Sequence, residues 1–470
     1  MPRNILLLIT LSWLAFSLPA RSDEPAPRFY TLRQAVNQAL LGNPDYRNLL
    51  NSVEVAQLDY EKARAVFKTK LKGNLNSDAR SGADIGSTYN LGLQKRNMSG
   101  SAYGVGVYHS SFASKQLSEI RFSYTLPFFQ NPLTTGKFDS DRAELDFRHR
   151  ERMARIGAEE LVLNVLTAYY HLSLAYNRIG VAQGEVSVAR KLLQATRIRA
   201  KTGRSSEIDL QWAALRVSQA EQRRDKSMFE KLRAANDLAL LMGLDSTQPV
   251  AVEREIPPVS NPELMQMTTD EVQAMAIKNR AELIGLGEDL ELARRKLRAS
   301  PSKRMPGLDV SLQYALISEG TSFTDSVTFN DSRIGVGVSM DIDLLGTPNQ
   351  QHRRLALFFD STRRSYERLE GEIRSAVSDA VFTMQNNARQ LDLSRRSLDL
   401  AEKQFHLTEI KYRGGSASTQ DVLEAEQALS DMRYKELTSR VNYLLSNYRV
   451  RLIAGTLLED WDTDVSRLEP

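Results

Sequence analysis

From Leu161 onward, apolar residues fall at alternating intervals of four and three: Leu161, Val165, Ala168, Leu172, Ala175, Ile179, Ala182, Val186, Ala189 and Leu193. That is a heptad seam, and its alanines let a neighbouring helix approach closely. The seam returns more loosely at Ile373, Val377, Ala380, Met384, Leu391, Leu398, Ala401 and Phe405, interrupted by Asn387 and Ser394. Long helices are predicted over 139–201 and 349–412. At ~1.5 Å per residue, about 60 residues make a rod of roughly 90 Å. Elsewhere the period is two. It runs through Leu71, Gly73, Leu75, then Tyr89, Leu91, Leu93, then Tyr103, Val105, Val107, then Ile120, Phe122, Tyr124, Leu126. A shorter version follows at Leu308, Val310, Leu312, Tyr314 and at Ile334, Val336, Val338, Met340. Alternation predicts strands with one apolar and one polar face, in β regions spanning 71–127 and 307–344.

The punctuation between these runs is duplicated. Lys411–Leu429 reads as a helix end at Gly414-Gly415, a polar turn at Ser416–Gln420, and a new helix from Asp421. Glycine takes the left-handed conformation that ends a helix, and Ser418 or Thr419 can cap the next one. The same grammar stands 212 residues earlier, with Gly203 for Gly415, Asp209 for Asp421 and Ala213 for Ala425. Capping boxes at Thr31-x-x-Gln34 and Thr268-x-x-Glu271 are 237 residues apart, which places 25 extra residues in the first β region. The chain therefore reads as one unit written twice. The first repeat is 23–243, with helix 31–70 passing a kink signal at Asn43-Pro44, long helix 139–201, tip 202–206 and return helix 207–242. The second is 268–455, with helix 269–299, long helix 349–412, tip 413–418 and return helix 419–454. A proline-bearing linker covers 244–267 and a tail covers 456–470.

Composition narrows the function. The 470 residues are 26% charged, with a net charge of +4 spread along the chain, which does not suggest nucleic acid. There is no cysteine, so disulfides and thiolate chemistry are excluded. No HExxH, GxSxG, P-loop or metal-ligand cluster occurs, so no enzyme, metal or cofactor is expected. Acidic residues lie on helix faces among Lys and Arg, the pattern of a solvated surface. Residues 1–22 read as an export signal: Arg3, an apolar run from Ile5 to Phe16, and Ala20-Arg21-Ser22 as a cleavage site. No later stretch has the length of a transmembrane helix, so membrane entry would be as β-structure. One-sided strands in an exported chain suit either a sandwich or a barrel. Two to four strands per half cannot close a barrel, which would then require several copies.

The Tyr-x-x-Gly…Asp-Val-Leu-x-Ala tip at Tyr412, Gly415, Asp421, Val422, Leu423 and Ala425, with its echo at Gly203, Asp209 and Ala213, resembles the TolC family of outer-membrane efflux and secretion channels. The resemblance runs from about Thr31 to Gly455. It implies an α+β membrane protein: a homotrimer sharing one transmembrane β-barrel, continued by a periplasmic α-helical coiled-coil barrel. It implies an exit duct for efflux or type I secretion in the outer membrane of a Gram-negative bacterium. The partners implied are outer-membrane lipid, a periplasmic adaptor (membrane fusion) protein, and an inner-membrane transporter of RND, ABC or MFS type. The constriction carboxylates fall on Asp421 and Glu424, and the lock between tips on Asp209 and Tyr412. The family's arginine position is Ala417 here, with Arg413 or Arg204 as substitutes. The turns Gly203, Ser205, Ser206, Gly414, Gly415, Ser416 and Ser418 become the adaptor contact. Beside the gate stands a plainer reading: acids in a first helical turn oppose the helix dipole. Trp212 occupies the first-half counterpart of Glu424. Four alternating runs in the first β region exceed the usual two, leaving open whether the middle pair joins a barrel. The alternative function is a non-conducting periplasmic or envelope coiled-coil scaffold.

Overall fold

The computed structural model describes residues 28–78, 86–112, 115–128, 137–203, 205–245, 250–257, 267–300, 307–322, 328–341 and 347–461. The export signal 1–22, Arg204, parts of the linker and the end of the tail lie outside the described residues. In chain order the elements are β1 (Arg28–Tyr30), α1 (Leu32–Gly42), α2 (Pro44–Ala65), β2 (Lys70–Asp78), β3 (Gly86–Arg96), β4 (Ala102–Phe112) and β5 (Lys115–Pro127). Then come α3 (Lys137–Lys201), α4 (Glu207–Leu241), β6 (Val250–Val252), α5 (Thr269–Asn279), α6 (Ala281–Ala299), β7 (Gly307–Gly320), β8 (Asp331–Asp341), α7 (Thr347–Arg413) and α8 (Thr419–Ala454). The long rods are α3 and α7, each followed by a return helix, α4 and α8.

The short helices differ from expectation. The first parts into two helices where the kink signal Asn43-Pro44 stands, and it stops at Ala65, short of the expected bound, because Lys70 already opens a strand. Asn43 is extended (φ −66°, ψ 123°) and its side chain caps α2 by accepting from the Tyr46 N–H. The second helix breaks as well, at Arg280 (φ −64°, ψ 115°), without a proline. Asn43 and Arg280 are 237 residues apart, the same spacing as the two capping boxes. Only the first copy announces its break with proline, which disfavours the helical conformation in the residue before it.

The chain divides into two compact units. One holds residues up to Gly42, then 165–256 and 401–437. In it β1 pairs in parallel with β6, with Arg28 opposite Val250. This small sheet rests on α3: the Tyr169 hydroxyl lies 3.4 Å from the Tyr30 carbonyl, and Asn177 donates to the Arg254 carbonyl at 2.7 Å. Three-residue strands are too short to show a period, so neither was visible in the sequence.

The second unit holds 43–164, 257–400 and 438 onward. Its helical core gathers Val272, Ala276 and Leu283 against Ile373, Val377, Ala380 and Met384 of the α7 seam and Val450 and Ala454 of α8. Asn387, the polar break in that seam, donates to the Asn442 carbonyl at 3.3 Å. The rest is one antiparallel six-stranded sheet, ordered β2-β3-β4-β5-β7-β8. The expected alternation holds on every strand. Leu71, Leu93, Val105, Phe122, Tyr314 and Ile334 follow one another across it in register. The neighbouring row, on the opposite face, is Lys72, Gly92, Gly106, Arg121, Ala315 and Arg333. The apolar face is exposed; Ile334 retains 77% of its accessible surface and Leu71 retains 66%. Among the described residues no helix is long and apolar enough to cross a membrane.

Candidate functional site at the helical tips

Both tips are built the same way. Gly203 (φ 70°) and Gly415 (φ 82°) take the left-handed conformation where α3 and α7 end. At the second tip the Ser416 N–H reaches back to the Lys411 carbonyl at 2.9 Å, and the Gly414 N–H to Ile410 at 3.0 Å, satisfying carbonyls left over by the helix. The next helix is then capped. Ser418 accepts from the Asp421 N–H at 3.1 Å, while Asp421 Oδ2 accepts from the Ser418 N–H at 2.7 Å and its hydroxyl at 2.8 Å. At the first tip Ser206 and Asp209 repeat this box, with Ser205 adding a hydroxyl at 3.1 Å to Asp209. The serine N–H and hydroxyl hold both aspartates below the usual carboxylate range.

Asp421 and Glu424 are both exposed and lie one helical turn apart. Gln420 donates to Glu424 at 3.0 Å. Glu424 shares a groove of about 260 Å³ with Trp212, Leu215, Gln219, Leu423 and Gln427, so Trp212 faces the residue whose repeat position it occupies. Asp209 is taken up by Ser205 and Ser206, and Tyr412 by other partners. Tyr412 is buried with Leu192 and Val422, and Ala417 packs on that cluster, filling the arginine position with apolar volume. The Tyr412 hydroxyl lies 3.4 Å from Thr196 Oγ1. The guanidinium of Arg199 sits 3.8 Å from the ring centroid and donates to the Tyr412 carbonyl. Of the substitutes considered for the missing arginine, Arg413 pairs with Glu409 at 2.6 Å and Arg204 lies outside the described residues. The arginine at Tyr412 is Arg199, from the last turn of α3.

Sequence reading missed the layer above the tips, because it took the helix charges as solvated. Arg216 and Glu426 form an ion pair whose side chains are each only 6% exposed; Arg216 Nε donates to Glu426 Oε2 at 2.9 Å. The hydroxyl of Ser430 supports Glu426 at 3.3 Å. Beside them Arg223 lies 3.5 Å from both Glu185 and Asp431. Burial pushes the Glu185 carboxyl up, and burial with the nearby Glu185 charge pushes the Tyr434 phenol up to about 12. A signal existed: Arg216 falls between the buried Ala213 and Ala220, and Glu426 between the buried Val422 and Leu429. Each charge thus stands in an apolar stripe.

Residues 273–456 match the family described as outer membrane efflux protein. The outer membrane protein TolC of Escherichia coli K12 is 22% identical over 98% of this chain and 87% of its own length. The alkaline protease secretion protein AprF of Pseudomonas aeruginosa is 21% identical over 96% of this chain and 89% of its own. In fold, the outer membrane protein VceC of Vibrio cholerae matches with a TM-score of 0.69 at 14% identity, covering 90% of this chain and 96% of that one. The CmeC outer membrane channel of Campylobacter jejuni matches with a TM-score of 0.67 at 16% identity, over 93% and 88%.

Proposed function

We propose that this chain belongs with the TolC family of outer-membrane efflux and secretion proteins, which the match over residues 273–456 and the 22% identity to TolC along 98% of the chain support, and that it is a passive outer-membrane exit duct of a tripartite efflux or type I secretion system. Three copies each lend a sheet to one barrel in the outer membrane of a Gram-negative bacterium. Their long helices continue into the periplasm as a tube. A periplasmic adaptor meets the exposed turns at Gly203, Ser205, Ser206, Gly414, Gly415, Ser416 and Ser418. An inner-membrane transporter of RND, ABC or MFS type supplies the energy and chooses the cargo. The observation that carries this reading is the six-stranded sheet with an uncovered apolar face. Unpaired strand edges cannot stand in hydrocarbon, so β2 and β8 must pair with sister copies.

The gate is the second tip. Three copies gather six carboxylates, from Asp421 and Glu424, around one aperture that favours cations while closed. Tyr412 braces the coils through Thr196 and Arg199, with Arg199 in the role that Ala417 cannot fill, while Asp209 caps its own tip. Partner binding loosens these contacts and widens the ring. The doubly neutralised variant D421N/E424Q should raise conductance in planar bilayers and weaken block by multivalent cations. Unchanged conductance and ion selectivity would remove both residues from the gate. A coiled-coil scaffold would instead be recovered from soluble periplasm, with no detergent-dependent oligomer.

A further inference from the structure

The repeat predicts two strands from each half, yet the sheet has six. The 237-residue offset lays β2 on β7, and the 212-residue offset lays β5 on β8, so β3 and β4 have no counterpart in the second half. These surplus strands are full members of the sheet. They lie between β2 and β5, paired over nine residues on one side and eleven on the other. Tyr89, Leu91 and Leu93 of β3, and Tyr103, Val105 and Val107 of β4, continue the apolar face of the other four strands. The opposite face is kept low by Gly92, Gly104, Gly106, Ala315, Gly335 and Gly337. Tyr108 lies flat there: a Cβ on Gly106 would meet its ring at 3.1 Å, and Arg121 stacks 4.4 Å above that ring.

We propose that the surplus hairpin is part of the membrane wall, so that three copies close an eighteen-stranded barrel where two strands per repeat would give twelve. This rests on the trimeric duct reading above. Barrel diameter grows roughly in proportion to strand number, so the bore is about one and a half times as wide as a twelve-stranded one. Barrels of about 16 to 18 strands leave an open aqueous channel. The outer section is therefore a broad hydrated mouth lined by glycine, alanine and polar side chains, Lys72, Arg121 and Arg333 among them, and wide enough to pass bulky hydrated cargo. The repeat also fixes how copies join. β5 meets β7 with Tyr124 opposite Leu312. The two offsets carry that pair to Val336 of one copy opposite Leu75 of the next.

The chain has no cysteine, so engineered pairs report cleanly. In outer membranes L75C/V336C should oxidise to a covalent trimer, and L75C/Y89C should close within one chain. L75C/Y124C should not close, because two strands separate those positions. Polyethylene glycols of graded size, added on the outer side of a bilayer, should enter the mouth up to a size cut-off that falls when Gly86–Phe112 is deleted. Oxidation of L75C/Y124C in place of L75C/Y89C would overturn the wide wall while leaving the duct intact. So would an unchanged polymer cut-off in a deletion variant that still assembles. Failure of L75C/V336C to link copies would overturn the shared barrel itself.

Discussion

At the residue scale, the charges that hold the coils are not those that mark the tips. Arg216 and Glu426 are nearly dry, and a buried ion pair owes its stability to completeness: removing one partner strands the other and costs about 3–5 kcal/mol, whereas replacing both with apolar groups costs far less. R216M alone should therefore lower the thermal midpoint of the detergent-solubilised protein sharply, and R216M/E426L should recover most of the loss. Equal midpoints for the single and double variants would show that the pair does not act as a unit. The tip aspartates act differently, because they are solvated and their partners are serine groups in the same turn. Their native pKa lies below the unfolded value, so the capping contribution is complete above about pH 4 and is lost as pH falls through the lower native value. Carboxyl NMR of selectively labelled Asp421 should give a midpoint below the ordinary ~3.9, and S418A should move it back up.

At the element scale, the two breaks in the short helices invite a direct comparison. Asn43 and Arg280 adopt nearly the same dihedrals, yet Pro44 follows one and Ala281 the other. Proline at the first helical position is pre-organised and gives up no intrahelical hydrogen bond. A281P should thus be accommodated and should stabilise by about 0.4–1 kcal/mol, mainly by restricting the unfolded chain. A chemical-denaturation midpoint below that of the parent chain would mean that α5 and α6 need the freedom that alanine leaves. The break itself shows what patterns can reveal. Asn43-Pro44 was legible because proline writes its conformation into the sequence. Arg280 was not, since an extended residue between two good helices leaves no compositional mark. Thr268 was legible for the opposite reason: a hydroxyl residue three before an acid is a local device, complete within one turn, whereas the second tip offered Ser418 or Thr419 and the structure takes Ser418.

At the scale of the whole molecule, duplication made the architecture readable. Period-two runs separated by heptad runs, most of them recurring at fixed offsets, gave the long helices and the strands of the six-stranded sheet, but not β1, β6 or the break at Arg280. Register across the sheet and the partner of Tyr412 were not readable. Arg199 reaches Tyr412 from a helix 213 positions away, and Glu426 finds Arg216 from 210 away. Contacts of that range depend on how coils wrap, not on any local preference. The carboxylates proposed for the gate lie between these extremes: the Asp421 cap is local, whereas an aperture would need several copies to meet.

The surplus strands arrive as a hairpin, and that has an evolutionary side. Adding a pair of antiparallel strands leaves the direction of every other strand unchanged, and leaves β2 and β8 as the two edges of the sheet. On the proposed trimeric barrel, a lineage could therefore acquire or shed such a pair in a single insertion or deletion without redesigning how subunits recognise each other, so calibre could drift while assembly was conserved.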